Sequence, residues 1–379
     1  MILLAYLAAA IGGSGLLLSL AGWAATCRFA RRPAPTLAER PPVTILRPLH
    51  GDEPLLDEAL ASVCAQNYPE FQVVFGVQNP NDPALAVVRR LQARFPECDI
   101  TIVVDATQHG SNRKIGNLIN MFAAARHDVL VIADSDVHVA RDNLDRLVTT
   151  LTRPGTGLVT TVYTGLPGND GLAARLGATQ ITHTLLPGAL LARLLGRQDC
   201  FGATMALTRA TLERIGGLRT LVNHLADDNV LGRLVREQGL AVELAPTVPA
   251  TTVPETTLKA LWRHELRWAR TIRALAPLGF ALSAVQYPLV WSALAVALSG
   301  GEAWSLGLFA LAWLVRAVAA RGVDRALGLA IAAPVWLLPL RDMMFVGVMI
   351  ASFLGDRVEW RGYSLYADNG RAEPGTRAS

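Results

Sequence analysis

The chain has 379 residues, of which 51% are hydrophobic and only 17% are charged. Soluble globular domains usually carry about 25% charged residues, so this composition argues against a wholly water-soluble protein and predicts segments that lie in lipid. The net charge of +4 is too small to indicate a nucleic-acid-binding protein. The four cysteines form no metal-binding pattern, and we expect them to be reduced and buried in a domain that faces the cytoplasm.

The N-terminal segment, residues 2–26, contains no charged residue and exceeds the ~20 apolar residues that a membrane span needs. A cleaved signal peptide is the alternative. It would carry basic residues before the apolar run, whereas here Arg28, Arg31 and Arg32 follow it. We therefore predict an uncleaved transmembrane anchor over residues 1–27. Its basic flank predicts an N-terminus outside and a cytoplasmic chain from residue 28 onward.

A proline-rich stretch follows, and we expect residues 28–42 to be a linker. Beyond it, short apolar runs alternate with helical patterns, which predicts an α/β domain with a mostly parallel sheet covered by helices on both faces. The expected strands are 43–46, 72–77, 100–104, 129–133, 157–163, 203–207 and 241–244, and the expected helices are 53–66, 83–94, 113–125 and 142–152. We assign residues 43–256 to this domain and expect its ligand beyond the carboxyl ends of the strands.

The C-terminal part is again apolar. Residues 257–274 are basic and aromatic, which predicts an amphipathic helix that lies on the membrane surface. A membrane region of three or four segments is expected over 275–356, with spans near 278–299 and 303–320. The tail, 357–379, holds four arginines and should stay in the cytoplasm. By parity, residues 326–354 should then cross the membrane twice or dip into it and return.

Two carboxylates, Asp134 and Asp136, come directly after the fourth expected strand. Oxygen ligands suit Mg²⁺ or Mn²⁺, which share them with substrate phosphates and neutralise a leaving diphosphate. A plain turn with a helix-capping aspartate has comparable weight for this motif alone. The buried strand before it favours the metal-site interpretation.

Three more acidic residues have two interpretations each. Asp82 follows the second expected strand and precedes Pro83, so it is either a cap for the next helix or a ligand-site residue. Asp227 and Asp228 precede another expected helix. One of them could be a general base that deprotonates an acceptor hydroxyl, and helix capping is the alternative.

Basic residues mark two further positions. Lys114 and Asn117 open a helix behind a turn that contains Gly110, which favours a phosphate site, although no Walker motif is present. A solvated basic turn is the alternative. Arg267, on the expected interfacial helix, could bind a diphosphate with both guanidinium nitrogens.

In this order the motifs resemble those of GT-A glycosyltransferases that act on lipids or make polysaccharides. Their pattern is Asp, then Asp-x-Asp, then Asp, then (Gln/Arg)-x-x-Arg-Trp, and the matching residues are Asp82, Asp134, Asp136, Asp228, His264, Arg267 and Trp268. More narrowly, the chain is similar to the ceramide glucosyltransferase family over about residues 40–365. Within that family, residues 201–204 and 260–271 look like those of bacterial hopanoid-associated glycosyltransferases.

The resemblance implies an inverting glycosyltransferase that needs a UDP-sugar, a divalent metal ion and a lipid acceptor. It implies that Asp134 and Asp136 bind the diphosphate and the metal, with Asp136 the direct ligand. Asp82 would contact the uridine and Asp228 would be the catalytic base. Arg267 and Trp268 would hold the diphosphate and the acceptor, with Lys114 and Asn117 also on the nucleotide-sugar. His264 stands where Gln or Arg is usual, and its role and that of Asp227 stay open.

The hopanoid resemblance implies transfer of N-acetylglucosamine from UDP-N-acetylglucosamine to a lipid such as bacteriohopanetetrol, in a bacterial inner membrane. This is our first expectation. The sphingolipid alternative implies UDP-glucose and ceramide. A polysaccharide synthase is a further alternative, but three or four spans are too few for a polymer channel. In a non-enzymatic membrane protein, the carboxylates of Asp134, Asp136 and Asp228 would not converge.

Overall fold

The computed structural model describes residues 1–33, 39–332, 334–360 and 363–366. Part of the expected linker and most of the expected tail therefore lie outside the described residues. The strands are β1 (Val43–Pro48), β2 (Phe71–Val77), β3 (Asp99–Val104), β4 (Val129–Ala133), β5 (Val137–His138), β6 (Thr156–Thr160), β7 (Thr164–Pro167), β8 (Thr204–Thr208), β9 (Ala241–Leu244), β10 (Ala250–Val253), β11 (Arg357–Trp360) and β12 (Tyr363–Tyr366).

Helices cover the sheet and form a separate apolar cluster. They are α1 (Ile2–Ala30), α2 (Leu56–Cys64), α3 (Ala84–Arg94), α4 (Arg113–Phe122), α5 (Asn143–Leu151), α6 (Leu172–Gln180), α7 (Leu186–Leu194), α8 (Arg209–Arg214), α9 (Asp227–Glu237), α10 (Leu258–Leu275), α11 (Pro277–Leu282), α12 (Pro288–Ser299), α13 (Ala303–Leu327) and α14 (Leu338–Ser352). A π-helical turn, Ile181–Leu185, joins α6 to α7. Short 3₁₀ turns are Leu218–Leu221, Ser283–Gln286 and Val335–Leu337.

The main sheet contains seven strands in the described part of the chain, in the order β3-β2-β1-β4-β8-β6-β9. β1 pairs in parallel with β2 and β4, and β2 pairs in parallel with β3. Only β8 runs antiparallel to its neighbours. Successive side chains point to opposite faces of a strand, so Ile45 lies in the core under α2, α3 and α5, while Leu46 lies in the core under α4 and α9. The expected mostly parallel α/β sheet is confirmed.

The expected strands and helices of this domain lie close to those of the structure, but a second small sheet was not predicted. It has the order β5-β10-β7. Its strands are two to four residues long, too short for a readable alternation of apolar and polar residues. β5 begins at Val137, so this sheet directly continues the turn that holds Asp134 and Asp136.

Within the described residues, three helical segments are long and apolar enough to cross a membrane, and they are Ile2–Ala30, Ala303–Leu327 and Val335–Ser352. Their large apolar side chains face outward, as in Leu17, Leu314 and Ile350. Outward-facing apolar surface of this extent indicates membrane association.

The expected span at 278–299 is not one straight helix. It breaks between Pro277–Gln286 and Pro288–Ser299, and the two halves meet at an angle of 71°. Proline lacks the amide hydrogen that a helix interior needs, and it disfavours helical geometry in the residue before it. Tyr287 accordingly leaves the helical region, with φ −109° and ψ 68°. The absence of charged residues correctly predicted an apolar segment over 278–299, but it did not predict the bend.

The direction of α13 relative to α1 follows from contacts at both ends. Tyr6 stacks on Trp304 with ring centroids 5.0 Å apart, near the start of both helices. Trp23 packs against Gly322, near the end of both helices, where the glycine leaves room for the indole ring. The two helices therefore run side by side in the same direction.

The last apolar segment contacts α13 at its start and α10 just beyond its end. Val335 packs against the same buried cluster as Leu16 of α1, and its carbonyl accepts a hydrogen bond of 2.8 Å from Trp313 Nε1, so it lies about halfway along α13. Just beyond α14, the carbonyl of Gly355 accepts a hydrogen bond from Arg273 on α10. Whether residues 326–354 dip into the membrane and return, or cross it twice, stays a prediction.

Buried charged residues of α13 and α14 are paired with partners on other helices. Arg341 donates hydrogen bonds of 2.8 and 2.6 Å to the two carboxylate oxygens of Glu265 on α10. Asp342 accepts a hydrogen bond of 3.0 Å from Arg316 on α13. Arg341 and Asp342 are both fully buried. The pairing with Glu265 ties the amphipathic helix α10 to the membrane helix α14.

We predict that Arg341→Met destabilises the folded protein by about 3–5 kcal/mol, because it leaves the Glu265 carboxylate buried without a counter-charge. The double variant Glu265→Gln, Arg341→Met should recover much of that loss. Thermal or chemical unfolding in detergent measures both effects. The matched control is Arg94→Met, which removes an exposed ion pair of 2.9 Å with Asp57 and should cost about 1 kcal/mol or less. Equal losses for the two single variants would contradict this account.

Candidate active site

Lys114 lies between two acidic groups at the carboxyl edge of the main sheet. Its Nζ is 2.7 Å from Oδ1 of Asp134, which follows β4, and 3.7 Å from Oδ2 of Asp227, at the start of α9. Burial alone would lower the pKa of Lys114, but the two carboxylates outweigh it and the pKa is raised. The ammonium is therefore charged at neutral pH and joins two segments that are 93 residues apart in sequence.

The start of α4 aims Lys114 at these carboxylates. Asn112 caps the helix, because its side-chain oxygen accepts a hydrogen bond of 3.0 Å from the amide of Ile115. Its amide nitrogen donates to Asp227 Oδ1 at 3.2 Å and to the carbonyl of His224 at 2.8 Å. One asparagine therefore fixes the start of α4 and the start of α9 relative to each other. Lys114 lies in the first turn of α4, where the free amides of the helix favour the binding of an anion next to its ammonium.

Asp228 is the second acidic residue of α9, and its environment favours the protonated carboxyl more than water does. The residue before α9 is Ala226, with no side-chain cap, so neither Asp227 nor Asp228 is the capping residue. Burial, and then the negative charge of Asp227, raise the pKa of Asp228 to about 6. Gly202 lies against it, and a Cβ there would come within 3.1 Å of Asp228 Oδ2. A carboxylate with this pKa is poised for general-base catalysis near neutral pH.

The turn with Asp134 and Asp136 connects β4 to β5, and neither residue caps a helix. Asp136 Oδ2 accepts a hydrogen bond of 2.6 Å from Thr251 on β10. Burial, and then the charge of Asp134, raise the pKa of Asp136 to about 7. The paired carboxylates of Asp134 and Asp136 would therefore be stabilised in their ionised form by a bound cation.

The donor set of this turn fits a metal ion such as Mg²⁺ or Mn²⁺. Lys114 and Thr251 each contact one carboxylate oxygen, so Asp134 and Asp136 each keep a second oxygen for a cation. Within the described residues no three His, Cys, Asp or Glu side chains form a metal site. Two protein carboxylates are sufficient for Mg²⁺ or Mn²⁺, which keep several water or phosphate ligands.

The helix α10 brings an aromatic and basic surface to the same region. His264 Nδ1 is hydrogen-bonded to Glu255, and the His264 ring meets Trp268 edge to face at 4.5 Å. Burial would raise the pKa of Glu255, but the bond to His264 outweighs it and the pKa is lowered. His264 is therefore held by an ionised carboxylate and supports the indole of Trp268. Arg267 is half-buried on this helix, and its positive charge helps to lower the pKa of Glu255.

Tyr163 connects the acidic residues to α10. It packs on the same apolar cluster as Trp268, which includes Ala178 and Val253. Burial raises the pKa of Tyr163, and the charge of Asp228, then those of Asp134 and Asp136, raise it further. The charges of Asp134, Asp136 and Asp228 therefore all affect one partly buried phenol.

Two of the residues predicted to bind the nucleotide-sugar form hydrogen bonds with main-chain groups of the domain. Asp82 is 6% exposed and accepts hydrogen bonds from the amides of Gly51 and Ala84, so it links the loop after β1 to the first residue of α3. Asn117 is 3% exposed and donates to the carbonyl of Gly76 at 2.7 Å, which fastens α4 to β2. These contacts do not bring either side chain to Lys114, and their nucleotide contacts stay predictions.

Sequence reasoning missed several residues that surround the Asp134–Asp136 turn. Arg47, on β1, is 1% exposed and donates to main-chain carbonyls of the turn. Glu53 accepts a hydrogen bond of 2.6 Å from Ser135. An arginine within an apolar strand was the one available signal, because charged residues are rarely buried without a specific partner.

The chain is similar in sequence to known glucosyltransferases. The chain is 34% identical over 133 residues to a ceramide glucosyltransferase of Komagataella phaffii, covering 33% of this chain and 26% of that protein. It is 22% identical over 245 residues to ceramide glucosyltransferase 1 of Caenorhabditis elegans, covering 65% of this chain and 52% of that protein. The chain thus spans about half or less of the curated relatives it matches.

Among solved structures, a mannosyltransferase from Pyrobaculum calidifontis in complex with GDP-mannose and Mn²⁺ superposes with a TM-score of 0.54. The sequence identity is 20%, and the match covers 92% of this chain and 99% of that one. This likeness confirms the expected GT-A fold. The model of glycosyl transferase family 21 matches residues 4–373, almost the whole sequence. The chain is therefore a member of glycosyl transferase family 21.

Proposed function

We propose that this protein transfers a sugar from a UDP-sugar to the hydroxyl of a membrane lipid, with inversion at the anomeric carbon. The observation that carries the proposal is the position of Lys114. Its ammonium bridges Asp134 and Asp227, and the next residue, Asp228, is a half-buried carboxylate with a pKa raised to about 6. This arrangement supports the proposal because it groups at one edge of the sheet the carboxylates, the ammonium and the base that such a transfer needs.

In the proposed reaction, Asp228 accepts the proton of the lipid hydroxyl while the oxygen attacks the anomeric carbon. The bond between that carbon and the diphosphate oxygen breaks on the opposite face, and UDP leaves. Lys114 and Arg267 supply positive charge where negative charge develops on the diphosphate. Trp268 and His264, on α10, hold the acceptor at the membrane face of the site.

Asp134 and Asp136 are the residues that would hold a divalent metal ion, with Asp136 the direct ligand. When bound, the ion neutralises charge on the leaving diphosphate. Tyr163 and the apolar cluster around it restrict water next to the acceptor, which protects the donor from hydrolysis.

The curated relatives favour ceramide as acceptor and UDP-glucose as donor, because those that match this chain are ceramide glucosyltransferases. Transfer of N-acetylglucosamine to a hopanoid, our first expectation, has no support in these comparisons. It is kept as the second candidate on the local similarity of residues 201–204 and 260–271. The apolar helices support a membrane location, and the basic residues after α1 support a cytoplasmic site.

Purified protein in mixed micelles should be given UDP-glucose or UDP-N-acetylglucosamine, each radiolabelled, with ceramide or bacteriohopanetetrol, and with Mn²⁺ or a chelator. We expect metal-dependent labelling of ceramide from UDP-glucose. Labelling of the hopanoid from UDP-N-acetylglucosamine would select the second candidate. Failure to label any of these lipids with either donor would contradict both acceptor assignments.

Asp228→Asn should lower the transfer rate by about 10²–10⁴-fold, because the amide cannot accept the acceptor's proton. The affinity for UDP should stay within about twofold, since Asp228 does not contact the nucleotide in the proposed reaction. Turnover of the radiolabelled donor and calorimetric titration with UDP measure the two quantities. Near-normal turnover would show that another residue is the base.

The pH profile tests the coupling between Asp227 and Asp228. Since Asp228 must be ionised, kcat/KM at saturating Mn²⁺ should rise with pH through a pKa near 6 and then level off. Asp227→Asn removes the adjacent negative charge, which lowers the pKa of Asp228, so the acid limb should move to lower pH. An acid limb that does not move would mean that a different group controls it. Arg94→Met, far from this edge of the sheet, is the control and should keep the unchanged profile.

A further inference from the structure

Arg47 is a buried charge beneath the turn that holds Asp134 and Asp136. It lies on β1, between β2 and β4 in the centre of the sheet, and is 1% exposed. Removing an arginine from water is costly unless its donors are satisfied. Its guanidinium donates to the carbonyl of Asp134 through one terminal nitrogen and to the carbonyl of Val137, at 3.0 Å, through the other.

These two carbonyls are the first and last of the four-residue turn. Between them, Ser135 donates to Glu53, and the carbonyl of Asp136 accepts from the amide of Thr252 at 3.1 Å. The turn is therefore held by the guanidinium of Arg47, by Glu53 and by the main chain of Thr252. With the main chain fixed in this way, the carboxylates of Asp134 and Asp136 are left to face Lys114 and Thr251.

We propose that Arg47 is a positioning residue, whose forked guanidinium sets the spacing of the Asp134 and Asp136 carboxylates so that both contact one metal–diphosphate unit. The inference rests on the proposed function, because it assumes that this turn binds the metal and the diphosphate. Arg47 itself does not touch either ligand. It acts through the backbone of the turn.

Contact with both carbonyls requires the two terminal nitrogens of a guanidinium, and a positive charge alone is not sufficient. Arginine presents several N–H groups in one plane and reaches two carbonyls at once, whereas the lysine ammonium is a single point on a flexible stem. Arg47→Lys therefore keeps the positive charge and loses one of the two contacts. Arg47→Met keeps much of the apolar stem and loses both.

The test is the affinity for Mn²⁺ in the presence of UDP, measured by the electron paramagnetic resonance signal of free Mn²⁺ with full-length protein in detergent. We expect Arg47→Lys and Arg47→Met to weaken Mn²⁺ binding by about 10–100-fold, the usual effect of removing a group that orients metal ligands. The affinity for UDP without metal should change much less. The control Arg94→Met should bind Mn²⁺ as the unchanged protein does.

A purely structural role for Arg47 predicts a different result. It would lower the melting temperature of both variants and weaken UDP binding with and without metal alike. Unchanged Mn²⁺ affinity in Arg47→Lys, or parallel losses with and without metal, would overturn the inference. If the unchanged protein itself did not bind Mn²⁺ with UDP, the metal-dependent donor site of the proposed function would fail, and the inference with it. The Mn²⁺ titration of the unchanged protein alone would show that failure.

Discussion

The salt bridges of Lys114 are the interaction on which the proposed site depends. Asp134, Asp227 and Asp228 come from two distant segments, and three carboxylates at one sheet edge would repel each other without a cation among them. Lys114 reaches two of them, at 2.7 and 3.7 Å, and its charge offsets part of the rise in the pKa of Asp228. Asn112 adds a rigid link between the helices that carry these groups. Burial and the charge of Asp134 raise the pKa of Asp136, and a divalent ion bound there would favour its ionised form.

A second constraint joins this site to the membrane. The helix α10 carries Trp268 on the apolar cluster that also contacts Tyr163, and Glu265 on the side of α14. Because Arg341 holds Glu265 with two hydrogen bonds in a buried position, α10 cannot shift without breaking a buried ion pair. The surface of α10 that carries Trp268 is thereby kept at a fixed place relative to the apolar helices. A lipid hydroxyl is a suitable acceptor for such a site, since it is itself held at the membrane surface.

Much of the fold and part of the site could be predicted from the sequence. The strands of the main sheet are apolar runs bounded by polar turns, and a motif directly after a buried strand must lie at the carboxyl edge, so the position of Asp134 and Asp136 followed. Other features depend on contacts between distant segments. Neither the anchoring role of Asn117 nor the use of Arg47 beneath a turn 87 residues away has a local pattern. The bend at Pro288 had a signal in the proline itself, but hydropathy alone does not show it.

The measurement that tests the central claim most directly is the anomeric configuration of the lipid product, read by NMR from a reaction with an α-linked UDP-sugar. In-line attack by a hydroxyl that Asp228 deprotonates, on a donor held by the turn and Lys114, predicts a β-linked product. An α-linked product would require a second displacement or attack from the leaving-group side, and would contradict the role assigned to Asp228.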